Sequence, residues 1–194
     1  MNKLIIATGN KGKLKEFQNI FANTKYQIIS QDEFNVPEVA ETGLSFVENA
    51  ILKARNAAKF CNYPCLADDS GICIPELNNR PGLYSARYAG TNTSYTEKIL
   101  TLIKEIEANN LHRPKAFFYC ALAIVQNPDD PCPIIATAKW EGEIQHEPSG
   151  NNGFGYDPIF YAPEFNMTAG EMDPKLKEQN CHRGIAIRKL MQLL

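Results

Sequence analysis

The stretch "KLIIATGNKGKLKEFQNIF", Lys3 to Phe21, decides the fold. It opens with a short apolar run, breaks at Thr8 and Gly9, and resumes with Leu14, Phe17, Ile20 and Phe21 at helical spacing. Lys13, Lys15, Glu16 and Asn19 fall on the other face. A buried strand, a glycine turn and an amphipathic helix in that order predict an α/β chain. The turn itself, "TGNKGK" (Thr8, Gly9, Asn10, Lys11, Gly12, Lys13), admits two readings. Glycines before a helix let backbone N–H groups approach an anion, and Lys11 and Lys13 add full charges, which suits a triphosphate. Equally, it is a tight turn with solvated lysines. It matches neither G-x-x-x-x-G-K-[ST] nor G-x-G-x-x-G.

Outward from this unit the pattern continues. "SFVE" (Ser45 to Glu48) predicts a capping box, Ser45 and Glu48 each satisfying the other's free N–H, opening a helix to about Phe60. A strand "CLA" leads into Asp68 and Asp69, with "ICI" continuing after them, and "SYTE" (Ser94 to Glu97), a second capping box, opens a further helix to about Asn109. "KAFFYCALAIVQ" (115–126) and "PIIATAKWEGEI" (133–144) read as long strands, antiparallel across the turn-rich "NPDDPCP". A glycine-rich loop, "EPSGNNGFGYDPIF", precedes a last helix from about His182. The expectation is a mixed sheet with helices on both sides, in one domain over residues 1–194.

Composition narrows the function. Lys and Arg total 20 against 22 for Asp and Glu, so a net charge of −2 provides no general field for a nucleic acid polymer or an acidic membrane. Any phosphate site must be local. The apolar run at the amino terminus is too short for a signal peptide or a bilayer span, which predicts a soluble, cytoplasmic protein. The six cysteines include no C-x-x-C pair and no histidine spaced as a zinc ligand, so reduced, mostly buried thiols are expected.

Three groups carry possible chemistry. Glu41 in "AETG", with Asp68 and Asp69, offers hard oxygen ligands for Mg²⁺ if the segments meet at one sheet edge, where crowding would also raise carboxylate proton affinity. The alternative for Asp68 and Asp69 is an Asx-type turn with Ser70 and Gly71. "GFGYDP" puts Phe154 and Tyr156, with Gly155 and Asp157, in a flexible loop, where exposed rings suit stacking on a base. Lys177 and "HRG", with His182 and Arg183, offer a planar donor fork for a carbonyl or phosphate oxygen, or else a helix cap and a surface ion pair.

Taken together, "TGNKGK", "ETGLSFVENAILKA", "ADDSG", "PGLYSARY", "GFGYDPIF" and "HRG", in this order from Leu4 to near the carboxyl end, closely resemble the inosine triphosphate pyrophosphatase family. The resemblance implies an elongated mixed sheet in two lobes with a deep nucleotide cleft. It implies a homodimeric, Mg²⁺-dependent enzyme that cleaves ITP, dITP and XTP to the monophosphate and pyrophosphate. Residue by residue, it implies phosphate contacts from Thr8 to Lys13, Mg²⁺ on Glu41 and Asp69, and Asp69 as proton acceptor. Ser70, Phe154 to Asp157, Lys177, His182 and Arg183 would hold the rest of the nucleotide. We add Asp68 as a further metal or supporting acid and Lys53 as a helix cation facing the phosphates. The chain departs from the family's usual pattern at Cys181, where a serine is common, and at "NNG" (Asn151 to Gly153). A nucleotide-binding module without catalysis would have no use for the paired acids. A hydrolase of modified pyrimidine triphosphates is disfavoured by "FGYD" and "HRG".

Overall fold

A computed structural model describes residues 2–22 and 24–194. The expected α/β character holds. In chain order the elements are β1 (Asn2–Ile6), α1 (Lys11–Phe21), β2 (Tyr26–Ser30), α2 (Phe46–Ala58), β3 (Cys65–Ile74) and β4 (Arg80–Pro81). There follow α3 (Tyr95–Ala108), β5 (Lys115–Val125), β6 (Ile134–Ile144), β7 (Phe160–Ala162), β8 (Met167–Thr168), α4 (Pro174–Asn180) and α5 (His182–Met191). The eight strands hydrogen-bond in the order β2-β1-β3-β5-β6-β7-β8, with β4 also paired to β3. The sheet is mixed: β1 runs parallel to β2 and β3, whereas β4 on β3, β7 on β6 and β8 on β7 are antiparallel.

At the centre of the sheet the alternative reading of Asp68 and Asp69, an Asx-type turn, does not hold. Asp68, Asp69, Ser70 and Gly71 close no turn; they lie inside one continuous ten-residue strand, β3. Pairing fixes its two ends, Cys65 and Leu66 on β1 and Cys73 and Ile74 on β4, with β5 as its other neighbour, so the strand stays extended through residues that would otherwise favour a bend. Nine of its ten residues are buried, as expected for a strand covered on both faces.

The chain divides into two compact units. The first comprises the chain through Asp69 with 120–138 and 186–194, the second 70–119 with 139–185. In the first, α2 buries Ala50, Ala54, Ala57 and Ala58 on one face. Three of these, Ala54, Ala57 and Ala58, join Ile5, Cys65 and Ala67 in one cluster. Alanine at these helical intervals lets helix and sheet approach closely. Cys65 and Ala67 share their face of β3 with Asp69, because side chains alternate along a strand, while Leu66 and Asp68 face the other way. In the second unit, Ile99, Leu102, Ile103 and Ile106 of α3 pack with Ile72, Phe118, Trp140 and Phe160.

The two predicted capping boxes form differently. At Ser94 the box is complete: Ser94 Oγ accepts from Glu97 N, and Glu97 accepts from Ser94 N at 2.7 Å. At Ser45 it is half formed, since Glu48 Oε2 accepts from Leu44 N at 2.7 Å in place of the Ser45 N–H. All six cysteines are free thiols, with Cys132 exposed and the other five buried.

Candidate active site

The first unit gathers acids around lysines. Asn10 N-caps α1, accepting from Gly12 N at 2.9 Å and Lys13 N at 3.1 Å. Those N–H groups are therefore already used, and the anion-binding capacity of the turn rests mainly on Lys11, which is exposed, and Lys13. Thr8 Oγ1 braces the turn by accepting from Asn10 N at 3.2 Å. The space beside Gly9 is open, a Cβ there meeting nothing within 4 Å. Lys13 Nζ pairs with Asp68 Oδ1, and Cys120 Sγ lies 3.7 Å from Asp68 Oδ2.

On the other face of β3, Lys53 Nζ bridges Glu41 Oε1 at 2.9 Å and Asp69 Oδ1 at 2.7 Å. Carboxylates from separate segments thus converge on one cation. Burial is the main reason that the Asp69 carboxyl lies above the usual aspartate range. Lys53 opposes that rise, and Glu41 and Asp68 add smaller upward pushes, so carboxylate crowding is the minor cause. For Lys53 burial pulls its affinity for the proton down, but Asp69, Asp68 and Glu41 together outweigh it and raise it. The donor set suits a hard divalent cation. Among the described residues no three or more His, Cys, Asp or Glu side chains group to hold a metal. Mg²⁺ fits such a place because it binds through one or two carboxylates and completes its shell with water and substrate phosphates.

The second unit gathers cations around an aromatic ring. Asp157 is 3% exposed, pairs with Lys177 Nζ, and accepts from Phe154 N at 2.7 Å, which fixes the glycine loop. Gly153 and Gly155 have φ of 76° and 71°, the left-handed region that glycine tolerates. At Gly153 a Cβ would stand 2.1 Å from Asp157 Oδ2. The Lys177 ammonium lies 5.2 Å and the Arg183 guanidinium 5.6 Å from the half-buried Phe154 ring. Arg183 Nη2 is 3.4 Å from Ser70 Oγ. His182, the first residue of α5, stacks on Phe118 with ring centroids 4.8 Å apart. Burial dominates at Asp157 too, raising its proton affinity against the pull of Lys177 and the Phe154 N–H.

Tyr156 departs from expectation. It is not an exposed ring but 2% exposed, with its hydroxyl donating to Ser85 O at 2.9 Å, so it anchors the loop to the core. Two residues near these clusters escaped the sequence reading. Tyr95 packs edge-on against Tyr156 with centroids 6.1 Å apart and lies 3.5 Å from where a Gly155 Cβ would be. Asn49 is 1% exposed and donates to Asp69 Oδ2 at 3.3 Å. Its spacing of four from Lys53 along α2 was the available signal, since side chains so spaced share a helix face.

Cys181 has a structural role in place of the serine expected there. Its Sγ accepts from Gly184 N at 3.5 Å and its carbonyl accepts from Ile185 N at 3.0 Å, so a thiol caps the helix that starts at His182. Sulfur is a weak acceptor. Cys181→Ser is therefore expected to stabilise the protein by about 0.5–1 kcal/mol, and to raise Tm by roughly 1–4 °C. Thermal melting measures this, and a Tm at or below that of the parent contradicts the capping role.

The Ham1 family profile matches residues 4–193. A dITP/XTP pyrophosphatase of Vibrio cholerae serotype O1 is 45% identical over 194 residues, covering 100% of this chain and 97% of the relative. Among solved structures, a HAM1 protein from Coxiella burnetii is similar with a TM-score of 0.94 and 46% identity, covering 100% of this chain and 98% of its own. The Ham1 protein of Staphylococcus aureus gives a TM-score of 0.87 at 39% identity, with coverage of 99% and 97%.

Proposed function

The chain belongs to the Ham1 family, and from that premise we propose that it hydrolyses non-standard purine nucleoside triphosphates, ITP, dITP and XTP, to the monophosphate and pyrophosphate. The observation that carries the reading is the convergence of Glu41 and Asp69 on one ammonium, Lys53 Nζ, at 2.9 and 2.7 Å. A binding module needs no such pair of buried and half-buried acids around one cation. The enzyme works with Mg²⁺, as a homodimer, in the cytoplasm. Among the described residues no helix is long and apolar enough to cross a membrane.

Glu41 and Asp69 would hold Mg²⁺, which would supply charge neutralisation on the triphosphate, whereas Asp68, on the opposite face of β3, pairs with Lys13 and orients that lysine instead of supporting the metal. The remaining work falls to the protein's own groups. Asp69, held above the ordinary aspartate range by burial, takes a proton from the attacking water. Lys53, Lys13 and Lys11 with the Thr8–Gly12 turn offset the negative charge of the phosphates, and positioning with charge stabilisation accounts for most of the rate in phosphoryl transfer. In the second unit Phe154 presents a ring face to the base. Arg183 and His182 donate toward a 6-oxo group, while Ser70, Asp157 and Lys177 keep Arg183 and the Gly155–Tyr156 segment in place. Adenine carries an amino group at position 6, so those donors would face a donor, which disfavours ATP.

The deciding experiment incubates the protein with a panel of triphosphates and Mg²⁺ and separates pyrophosphate from orthophosphate. Pyrophosphate with a monophosphate, fastest from ITP, dITP and XTP, is the expected result. Orthophosphate with a diphosphate left behind excludes the proposed cleavage position.

A further inference from the structure

Of the side chains around Asp69, Asn49 has no assigned role. It is 1% exposed on an alanine-rich helix face, where an amide is costly to bury unless both its ends are bonded. Both are. Its Oδ1 accepts from Gly43 N at 2.8 Å, and its Nδ2 donates to Asp69 Oδ2 at 3.3 Å. Chemistry fixes this orientation, because a backbone N–H only donates and an ionised carboxylate only accepts. Aspartate would set acceptor against acceptor, and leucine would satisfy neither end. The contact to Gly43 is close: a Cβ there would stand 2.7 Å from Asn49 Oδ1 and 2.7 Å from Glu48 Cβ. Gly43 follows Glu41 by two residues, so the amide ties the segment carrying one acid to the strand carrying the other. By occupying Asp69 Oδ2 it also leaves Oδ1 turned to the cation position that Lys53 now fills.

We propose that Asn49 is a positioning residue that locks the Glu41 segment and the Asp69 carboxylate into one cation-binding geometry. This rests on the reading of Glu41 and Asp69 as metal ligands. Groups that orient metal-binding carboxylates commonly change metal affinity or activity by about 10–100-fold when removed. Two substitutions break the brace from opposite ends without removing an acid. Asn49→Ala deletes the amide, and Gly43→Ala pushes the segment away from it.

The test titrates Mn²⁺ into nucleotide-free protein, following free Mn²⁺ by electron paramagnetic resonance. It then measures kcat, the nucleotide KM and the half-activating Mg²⁺ concentration. Far-ultraviolet circular dichroism and the emission of Trp140, the chain's single tryptophan, show that each variant is folded. Both variants are expected to bind Mn²⁺ about 10–100-fold more weakly and to need correspondingly more Mg²⁺, with nucleotide KM at saturating Mg²⁺ changed by less than about threefold. Should Asn49→Ala not fold, Asn49→Ser carries the same readouts. Parental Mn²⁺ affinity and Mg²⁺ requirement in a folded variant overturn the proposal, as does a parent protein that binds no Mn²⁺. If the parent binds Mn²⁺ yet hydrolyses no triphosphate, the proposed function fails while the titration still decides the role of Asn49.

Discussion

Asp69→Asn is expected to lower kcat by about 10³-fold, because it removes the proton acceptor while keeping nearly the same shape. The substituted amide can still accept from Lys53 through its oxygen. Its nitrogen then faces Asn49 Nδ2, the group that donates to Asp69 Oδ2 at 3.3 Å, so one buried hydrogen bond becomes a donor–donor contact. Two effects act together, loss of a base and weakening of the place where a cation is held. The fold should survive, since removing a buried charge also removes its desolvation cost and Lys53 keeps Glu41 as a partner. The informative comparison is Lys11→Ala. Lys11 is exposed, and an exposed charge acting through solvent should cost about tenfold or less. Steady-state kinetics on both variants, with nucleotide binding followed separately, gives the two numbers. A kcat for Asp69→Asn within tenfold of the parent, or a loss no larger than that of Lys11→Ala, would falsify the assignment of Asp69 as the base.

The features legible in the sequence were those fixed by local periodicity. Leu14, Phe17 and Phe21 announce α1, the Ser94 and Glu97 box announces α3, and the long apolar runs of β5 and β6 announce themselves. Short elements did not. β2, β4, β7 and β8 span two to five residues and take their form from pairing with neighbours, which no local pattern encodes. β3 admitted two readings at its centre for the complementary reason. Asp-Asp-Ser-Gly favours a turn locally, yet the pairing of the strand's two ends with β1 and β4 and the lysines over each face hold it extended. A strand that defies local preference at this point is where function is expected to be concentrated. The site was legible as a set of charged residues, less so as a constellation. Asn49 and Tyr95 have meaning only through what the fold places against them, and Tyr156 looked like a loop ring until its hydroxyl was seen bonded to Ser85 O.

Arg183→Lys is expected to lower kcat/KM for ITP by about 10–100-fold, the scale of losing one bidentate base contact, and to narrow the margin over ATP. The side chain is 3% exposed, beside Ser70 Oγ and over the Phe154 ring, so its position is set by packing as well as charge. Lysine preserves the charge but lacks the planar fork that meets a carbonyl oxygen with fixed geometry. Turnover of ATP, which gains nothing from a donor facing its 6-amino group, should fall much less, and the ITP to ATP ratio should drop. Phe154→Ala separates this from general loss of binding, because a ring face stacks on any base and its removal, costing about 1–3 kcal/mol, should penalise both substrates alike. Measured as kcat/KM for ITP and ATP across the parent and both variants, a ratio that shifts with Arg183 and not with Phe154 places purine selection in the guanidinium. If Arg183→Lys depresses both substrates equally, selection lies in some other group of the second unit, with the Tyr95 hydroxyl first to be tried.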